Sequence, residues 1–251
     1  MTVSGIVVTH GDHPDLGRCL AALAPQVDEL LVVANLPLDI EPPKGAKVLA
    51  NDRPLGFGAN VNRGARETSG DFLVIANPDT EAARNAVQVL RNFAQGRPGC
   101  GIAGPQLRYP DGRWQPSRRR FPTVAGTLAR RTPLRYVVRP FERQREHYLL
   151  DERPTEPVEA DWMLGAFLLL RRKMFDELGG FDERFRLYGE DIELCYRAAK
   201  AGWERWYVPA AVVTHAYAAV IDRRLLTRRT LWHWRGIARF VRKHPERLRA
   251  L

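Results

Sequence analysis

Residues 72–79 read Phe-Leu-Val-Ile-Ala-Asn-Pro-Asp, and this stretch decides how the rest of the chain is interpreted. Its first five residues are apolar, which predicts a buried strand over 72–76. Asn77, Pro78 and Asp79 follow directly, and residues of these types favour a turn. A carboxylate at the end of a central strand is also a place where a divalent metal can bind. From this stretch alone, both interpretations of Asp79 stay open.

Short apolar runs alternate with helical patterns through the first half of the chain. The predicted strands are 6–9, 30–33, 46–50 and 72–76, and the predicted helices are 15–23, 59–68 and 81–95. This alternation predicts an α/β fold with a mainly parallel sheet that is covered by helices on both faces. Ligands of such sheets bind beyond the carboxyl ends of the strands. Four polar residues fall at these ends: Thr9, Asn35, Asn51 and Asn77.

The second half of the chain is less regular. Residues 113–151 are rich in Arg and Pro, and we interpret them as a long, partly mobile excursion. The later predicted elements are a core strand at 166–170, helices at 173–178 and 190–201, one or two strands within 206–214, and a final helix at 223–243. We therefore expect one domain over residues 1–220 and a basic, amphipathic helical extension over residues 221–251.

The composition is that of a globular protein with a strongly basic balance. The 251 residues are 45% apolar and 27% charged, and the net charge is +10. Between Arg113 and Arg145 there are ten arginines and one acidic residue. Such charge predicts an anionic partner, whether nucleotide phosphates, nucleic acid or an acidic membrane face. Three scattered cysteines, no signal-peptide pattern and no long apolar run predict a cytoplasmic protein.

A second acidic group lies in residues 189–194, Gly-Glu-Asp-Ile-Glu-Leu, where Glu190 and Asp191 open a helical pattern. Acidic residues in the first turn of a helix complement its dipole and need no further role. The preceding residues 179–185 include two glycines and two phenylalanines, which would press this helix start against the sheet. A carboxylate held there can take a proton from an attacking hydroxyl group. Both acids are therefore candidate catalytic bases.

Two further segments are candidates for the same site. His215 follows an apolar run at 210–213, where a histidine is often only structural, but with Asp79 it would complete a metal site of oxygen and nitrogen ligands. Residues 56–64, Gly-Phe-Gly-Ala-Asn-Val-Asn-Arg-Gly, resemble a phosphate loop only loosely, because they lack its spacing. We expect their glycines to allow close packing of a helix on the sheet beside a nucleotide.

The final helix is amphipathic and basic. One side of it carries the apolar residues Leu231, Trp234, Ile237, Ala238 and Val241, and another carries Arg228, Arg235, Arg239 and Arg242. Such a helix either packs its apolar side on the domain or lies at a membrane interface, where Arg and Trp contact lipid headgroups. The pattern fits both roles equally.

Taken together, three sets of residues resemble the inverting glycosyltransferases of family 2, and in particular their rhamnosyltransferase-like branch. The sets are 55–64, then 72–79, and a third made of 162–166, 179–183 and 189–191. The third is the most specific, because several matched groups occur in order with suitable gaps. The resemblance covers the chain from Val3 to about His215. It implies the nucleotide-diphospho-sugar transferase (GT-A) fold, with a mixed, mainly parallel sheet flanked by helices.

The resemblance implies a role for each matched residue. Asp79 stands for the metal-facing member of the family's Asp-x-Asp motif and would bind Mg²⁺ or Mn²⁺ together with His215. Asp191 matches the catalytic base, and Glu190 lies beside it. The nucleotide-sugar-binding residues would be Thr9, Asn35, Asp52, Gly56, Asn62, Asn77 and Asp79, and the acceptor-binding residues Trp162 and Gly165.

The resemblance also implies the partners. The donor would be a dTDP- or UDP-sugar, and the acceptor a hydroxyl group on a growing glycan or on a sugar linked to a polyprenyl diphosphate. Such an enzyme would act in cell-surface polysaccharide synthesis, at the inner face of the cell membrane. An anionic membrane surface is a further candidate partner, and no nucleic acid is expected.

One position departs from the family pattern, and two other classes of protein remain as alternatives. The family's second strand usually ends in an Asp that helps to hold the nucleoside, but Ala34 stands there, with Asp52 as a candidate substitute. A nucleotidyltransferase of related fold would carry a glycine-rich, lysine-bearing loop after the first strand, which residues 10–14 do not form. A basic nucleic-acid-binding protein would explain the charge but not the paired acids.

Overall fold

The computed structural model describes residues 1–39, 41–122, 149–186, 189–216 and 228–248. The Arg-rich excursion predicted for 113–151 lies mostly outside these ranges, and so does the predicted boundary between residues 220 and 221. The side chains of Leu231 and Trp234, which belong to the predicted membrane-facing side of the last helix, are also outside the described part.

The strands form one large mixed sheet and one small sheet. In chain order they are β1 Val3–Thr9, β2 Glu29–Ala34, β3 Lys47–Ala50, β4 Phe72–Ala76, β5 Thr80–Ala82, β6 Cys100–Arg108, β7 Trp114–Gln115, β8 Arg118–Arg119, β9 Val158–Glu159, β10 Trp162–Met163, β11 Phe167–Arg171 and β12 Glu204–His215. The large sheet has the order β3-β2-β1-β4-β11-β6-β12-β5, with β7 beside β6 and β9 beside β12, while β8 pairs with β10. Neighbouring strands are parallel from β3 to β4, and β11 runs antiparallel to both β4 and β6. The predicted mixed sheet with a parallel first half is confirmed.

Helices cover both faces of this sheet. Those in the described ranges are α1 Leu16–Leu23, α2 Phe57–Arg66, α3 Ala86–Gln95, α4 Arg172–Glu177, α5 Glu190–Lys200 and α6 Arg228–Lys243. The apolar sides of α1 and α3 join Val7 and Val74 of the sheet in one buried layer. The apolar sides of α2, α4 and α5 join Ile6 and Ile75 in the other. Since successive strand residues point to opposite faces, β1 and β4 contribute to both layers.

Strand pairing at β12 corrects one prediction from the sequence and lengthens another predicted element. The helix predicted over 81–95 begins only at Ala86, because Thr80–Ala82 form β5 and pair with β12. The one or two strands predicted within 206–214 are a single strand of 12 residues, Glu204–His215. Both differences have the same cause: tertiary pairing along β12 fixes the backbone where local patterns are ambiguous.

Strand β6 is absent from the sequence prediction, although it lies between β11 and β12. It contains Gly101, Gly104 and Pro105, which are poor strand formers. The two glycines allow close neighbours. A Cβ at Gly104 would lie 2.6 Å from the Met163 sulfur atom, and one at Gly101 would lie 2.9 Å from the Met174 Cγ. Packing on the sheet therefore outweighs local propensity here.

The C-terminal helix α6 is bound to α5 by charged and aromatic contacts. Lys243 forms an ion pair of 2.8 Å with Asp182 and a second ion pair with Glu193, a fully buried residue of α5. Phe240 packs edge-on against Tyr196, also of α5. These contacts favour the interpretation of the helix as packed on the domain. Within the described ranges, no helix has the length and apolar character needed to cross a membrane.

Candidate active site

The first acid of the site, Asp79, lies between the end of β4 and the start of β5. Because β5 pairs with the end of β12, His215 Nε2 comes to 3.5 Å from Asp79 Oδ2. His215 Nδ1 lies 3.0 Å from the amide oxygen of Gln115, a buried residue of β7. With Nδ1 held by Gln115, Nε2 is the ring nitrogen that faces Asp79.

The surroundings of Asp79 keep its carboxyl group ionised. Burial would raise the pKa of Asp79, but the hydrogen bond and charge of His215, with a smaller contribution from His13, lower it below its ordinary value. A carboxylate and an imidazole nitrogen are suitable ligands for Mg²⁺ or Mn²⁺. Across the described residues, no set of three or more His, Cys, Asp or Glu side chains is arranged to hold a metal. The pair still fits such an ion, because Mg²⁺ commonly takes few protein ligands and completes its shell with substrate phosphates and water.

The second acid, Asp191, lies in the first turn of α5. Its Oδ2 accepts a hydrogen bond of 3.1 Å from the backbone N–H of Gly165, and its Oδ1 accepts one of 2.9 Å from that of Ile192. Burial raises the pKa of Asp191, and this effect outweighs the backbone hydrogen bonds and the charge of Arg119, which lower it. A raised pKa makes the carboxylate a better proton acceptor near neutral pH.

Glu190, the neighbour of Asp191, is only 6% exposed. Burial, followed by the charge of Asp191, raises the pKa of Glu190 to about 8. In the described part of the structure, its Oε2 has no hydrogen-bond partner. Glu190 is therefore mostly protonated at neutral pH, and Asp191, which has the hydrogen-bond donors, carries the negative charge of the pair.

The two acids are linked through the residues that precede β11. The backbone N–H of Asn77 donates to the Ala166 carbonyl at 2.8 Å, and the adjacent Gly165 N–H donates to Asp191. Because β4 and β11 are antiparallel, the end of one strand lies beside the start of the other. The acid predicted at a strand end and the acid predicted at a helix start therefore lie at the same edge of the sheet.

A polar network lies at the carboxyl ends of β2 and β3. The side-chain amide of Asn51 donates to Asn35 and to Asn60 at 2.6 Å each, and the amide of Asn60 donates to Asn35 at 3.1 Å. Arg63 donates to Asn51 and thereby closes the network. Of these residues, only Asn35 is among the predicted donor-binding residues. The contribution of Asn60 and Arg63 depends on how α2 packs, which the sequence does not reveal.

Two other predicted donor-binding residues lie near this network. Thr9, at the end of β1, is buried, and its hydroxyl group donates to the Gly11 carbonyl. Asp52 is exposed and follows Asn51 directly. Ala34, which stands where the family has an acid, is itself buried in β2.

Asn62 and Gly56, also predicted to bind the donor, contact the segment that leads into α5. The Asn62 amide exchanges two hydrogen bonds of 2.8 Å with the backbone of Phe181 and donates to Glu183 at 3.0 Å. A Cβ at Gly56 would lie 2.8 Å from the Arg186 carbonyl oxygen. Because these contacts occupy both groups, any contribution to donor binding would be indirect, through the position of this segment.

The residues predicted to bind the acceptor lie on the side of Asp191. Trp162 in β10 is partly exposed, and its indole N–H donates to the Arg120 carbonyl at 2.9 Å. A Cβ at Gly165 would lie 3.3 Å from the Asp191 Cβ, so a larger residue there would crowd the acid. Arg119, which faces Trp162 across the β8–β10 pair, is not among the predicted site residues.

Comparison with known proteins shows the family and the fold of the chain. Residues 4–234 match the model of a family described as Glycosyltransferase like family 2. The chain is 33% identical, over 238 residues, to N-acetylglucosaminyl-diphospho-decaprenol L-rhamnosyltransferase of Mycobacterium tuberculosis, covering 84% of this chain and 74% of that protein. It is 31% identical, over 214 residues, to the O-antigen biosynthesis protein RfbC of Myxococcus xanthus, covering 78% of this chain and 16% of that protein. A crystal structure of GalNAc-T7 with UDP, GalNAc and Mn²⁺ superposes with a TM-score of 0.68 at 19% identity, covering 96% of this chain and 47% of that one.

The fold and the family match define the class of protein: the chain belongs to glycosyltransferase family 2 and has the GT-A fold. It is a glycosyltransferase, as the resemblance of its motifs implies. Its identity to the mycobacterial protein places it in the rhamnosyltransferase-like branch of that family.

Proposed function

We propose that this protein transfers a sugar, with rhamnose as the first candidate, from a dTDP- or UDP-sugar. The acceptor is a hydroxyl group on a sugar carried by a polyprenyl diphosphate, and the transfer inverts the anomeric carbon. One observation carries the proposal: Asp79 and Asp191 meet at one edge of the sheet, and their surroundings shift their pKa values in opposite directions. Sugar transfer needs an ionised metal ligand to hold a diphosphate and a base to accept a proton.

On the donor side, Asp79 and His215 would hold the divalent cation, and Gln115 orients the imidazole ring. When bound, Mg²⁺ or Mn²⁺ supplies positive charge that stabilises the departing nucleoside diphosphate. The network of Asn35, Asn51 and Asn60 lies at the strand ends where the nucleoside of such enzymes would bind. Since Ala34 brings no carboxylate there, we propose these amides and the exposed Asp52 as the groups that contact the nucleoside.

On the acceptor side, Asp191 accepts the proton of the attacking hydroxyl group. The hydroxyl oxygen forms a bond to the anomeric carbon while the bond from that carbon to the diphosphate oxygen breaks, and this single displacement inverts the configuration. The Gly165 N–H fixes the Asp191 carboxylate. The protonated state of Glu190 keeps the negative charge of the pair on Asp191.

The acceptor class and the place of action rest on the relatives. The mycobacterial relative is named for an N-acetylglucosaminyl-diphospho-decaprenol acceptor, and RfbC for O-antigen biosynthesis. We propose a similar lipid-linked acceptor for this protein, met at the inner face of the cell membrane during cell-surface polysaccharide synthesis. The net charge of +10 favours contact with an anionic lipid surface.

A panel of nucleotide sugars tests this function. Thermal unfolding is measured with dTDP-rhamnose, UDP-N-acetylglucosamine and other dTDP- or UDP-sugars, each with and without Mn²⁺. A ligand at about 100 times its Kd stabilises a protein by roughly 2.7 kcal/mol, so binding is readily seen. We expect stabilisation that depends on Mn²⁺, and transfer from the stabilising donor to a diphospholipid-linked sugar with inverted anomeric configuration. A response to DNA or RNA and to no nucleotide sugar would contradict the proposal.

A further inference from the structure

Strand β8 brings an arginine to the acceptor side of the site. It pairs antiparallel with β10, so Arg119 lies opposite Trp162. Consecutive strand residues point to opposite faces. Arg118 forms an ion pair with Glu152, and Arg119 is thereby directed to the other face of the strand. Trp162 is three residues from Gly165, whose N–H donates to Asp191, so the pairing of β8 with β10 places Arg119 on the Asp191 side of the site. Burial raises the pKa of Asp191, and the charge of Arg119 is among the smaller effects that oppose this rise.

Trp162 fixes the geometry between the arginine and the acid. Its indole N–H donates to the Arg120 carbonyl at 2.9 Å, and the ring stays partly exposed. Three residues further along the chain, the Gly165 N–H donates to Asp191. An aromatic ring, a guanidinium group and a carboxylate are thus held by one pair of strands and the start of α5. Guanidinium groups bind phosphate oxygens in a bidentate manner, and partly exposed aromatic rings offer an apolar surface with a polar edge.

We propose that Arg119 binds the phosphate attached to the acceptor sugar, and that it thereby makes the enzyme prefer acceptors carried on a diphosphate. This inference rests on the proposed function for the transfer itself. A single sugar then extends from Asp191, where its reacting hydroxyl group lies, to Arg119, where the phosphate on its anomeric oxygen lies, with Trp162 alongside. Arg119 does not touch the reacting atoms and acts as a specificity-determining residue.

The donor diphosphate is the other source of phosphate in this site, and the two can be separated by position. The Asp79 side of the site contains His215, whose Nε2 lies 3.5 Å from the Asp79 carboxylate. Arg119 lies instead opposite Trp162, on the strand pair that leads to Gly165, the residue that donates to Asp191. We therefore assign Arg119 to the acceptor phosphate and the Asp79 side to the donor.

Ligand binding with the donor position filled tests this assignment. The Kd values of farnesyl-diphospho-N-acetylglucosamine and of octyl N-acetylglucosaminide, which has no phosphate, are measured on the full chain with saturating dTDP and Mn²⁺. We expect the wild type to prefer the diphosphate ligand. Arg119→Met should weaken the binding of that ligand by roughly 10-fold or more, the scale of a lost hydrogen bond to a charged group. The Kd of the octyl ligand should stay unchanged.

Two variants serve as matched controls. Arg113→Met removes the same charge from an exposed arginine of the same segment, which forms a surface ion pair with Asp111, and should leave both Kd values unchanged. Arg119→Lys keeps the charge but loses the bidentate geometry, so it should weaken the diphosphate ligand by an intermediate factor.

The possible results separate cleanly. The inference is overturned if the wild type binds the diphosphate and octyl ligands equally well, or if Arg119→Met keeps the wild-type preference. It is also overturned if Arg119→Met weakens the binding of both ligands equally, since that indicates a structural role. If Arg119→Met does not fold, Arg119→Lys decides: selective weakening of the diphosphate ligand supports the inference, and unchanged binding overturns it. Failure of the proposed function shows separately, as the lack of Mn²⁺-dependent binding of dTDP and UDP to the wild type.

Discussion

Asp79 and Asp191 lie at the same edge of the sheet, but their surroundings act in opposite directions. Asp79 faces His215, which lowers the pKa of the carboxyl group although burial would raise it. Asp191 has the buried Glu190 as its neighbour, and burial raises the pKa values of both. Two carboxyl groups in such different surroundings can have two roles, one as an ionised ligand and the other as a proton acceptor.

The difference arises from the elements that hold each acid. The pairing of β5 with β12 places His215 beside Asp79. Asp191 depends instead on the start of α5, where Gly189 adopts a φ of 94°, a conformation that favours glycine. Changes on the strand side should therefore alter metal and nucleotide binding. Changes on the helix side should alter proton transfer.

The largest effect is expected for Asp191→Asn, which keeps the size of the side chain but cannot accept the proton. Turnover should fall by roughly 100-fold or more, the scale of general-base catalysis, while donor affinity stays near that of the wild type. Steady-state kinetics and nucleotide titration measure the two quantities. Normal turnover in Asp191→Asn together with loss of turnover in Glu190→Gln would reverse the assigned roles.

On the strand side, Asp79→Ala should remove the gain in nucleotide affinity that Mn²⁺ provides. Loss of a metal ligand should lower metal affinity at least as much as loss of a residue that hydrogen-bonds a ligand, which is about 10–100-fold. His215→Ala should weaken the same binding less, because it removes a neutral ligand and leaves the carboxylate. Calorimetric titration of dTDP or UDP with and without Mn²⁺ checks both. An Mn²⁺ effect of wild-type size in Asp79→Ala would refute the metal site.

The helix side also depends on α6, which a pair of lysine variants can show. Lys243 is 29% exposed and pairs with the buried Glu193, whereas Lys200 is 56% exposed and pairs with Glu246 at the surface. Lys243→Met should lower the free energy of unfolding by about 1–2 kcal/mol. This is less than the loss expected when one partner of a fully buried ion pair is removed, because Arg197 still pairs with Glu193. Lys200→Met should change it by about 1 kcal/mol or less.

Urea unfolding and kinetics distinguish the two lysine variants. If α6 supports the start of α5, Lys243→Met should also lower turnover more than donor affinity. Equal stability of the two variants would show that the Lys243 contacts contribute no more than an ordinary surface pair.

A further effect concerns pH. The pKa of Glu190 in the folded protein, about 8, lies above its ordinary value of 4.5, so the folded state holds this proton more tightly than the unfolded state. The resulting stabilisation is complete below the ordinary pKa and is lost as pH rises through the folded pKa. Glu190→Gln cannot ionise and should not show this loss. Its stability relative to the wild type should therefore rise between about pH 5 and about pH 9.

Urea unfolding at the two pH values measures this difference. Turnover of Glu190→Gln at neutral pH should stay close to that of the wild type, because glutamine resembles the protonated acid. Parallel loss of stability in the two proteins would mean that Glu190 does not titrate in this range.

Local patterns predict much of the fold because burial leaves a local trace. Residues 72–76 form a strand in which every residue is buried, as their apolar run indicates. The same reasoning misses β6, whose glycines and proline argue against a strand. It also extends the helix of residues 81–95 too far toward its start. In both places, pairing with distant strands supplies hydrogen bonds that no local window contains.

The candidate site divides in the same way. Asp79, His215 and Asp191 are candidates from their types and their places at the ends of elements, and Gly165 is a candidate from the resemblance. The structure brings them together in two linked pairs. Gln115 and Arg119 carry no such signal. Gln115 is 100 residues from the histidine it orients, and Arg119 lies opposite Trp162 only because β8 pairs with β10.

The sequence by itself determined the α/β architecture and the family, and it made Asp79 and Asp191 candidate site residues, because apolar periodicity and short motifs are local properties of the chain. Only the tertiary structure decided that Asp191 is ionised and Glu190 is protonated. It also decided that the segment leading into α5 occupies the Asn62 amide, and that Lys243 binds α6 to α5. These outcomes depend on burial and on the charges of residues far apart in the chain. Both are fixed only when the strands and helices are packed together.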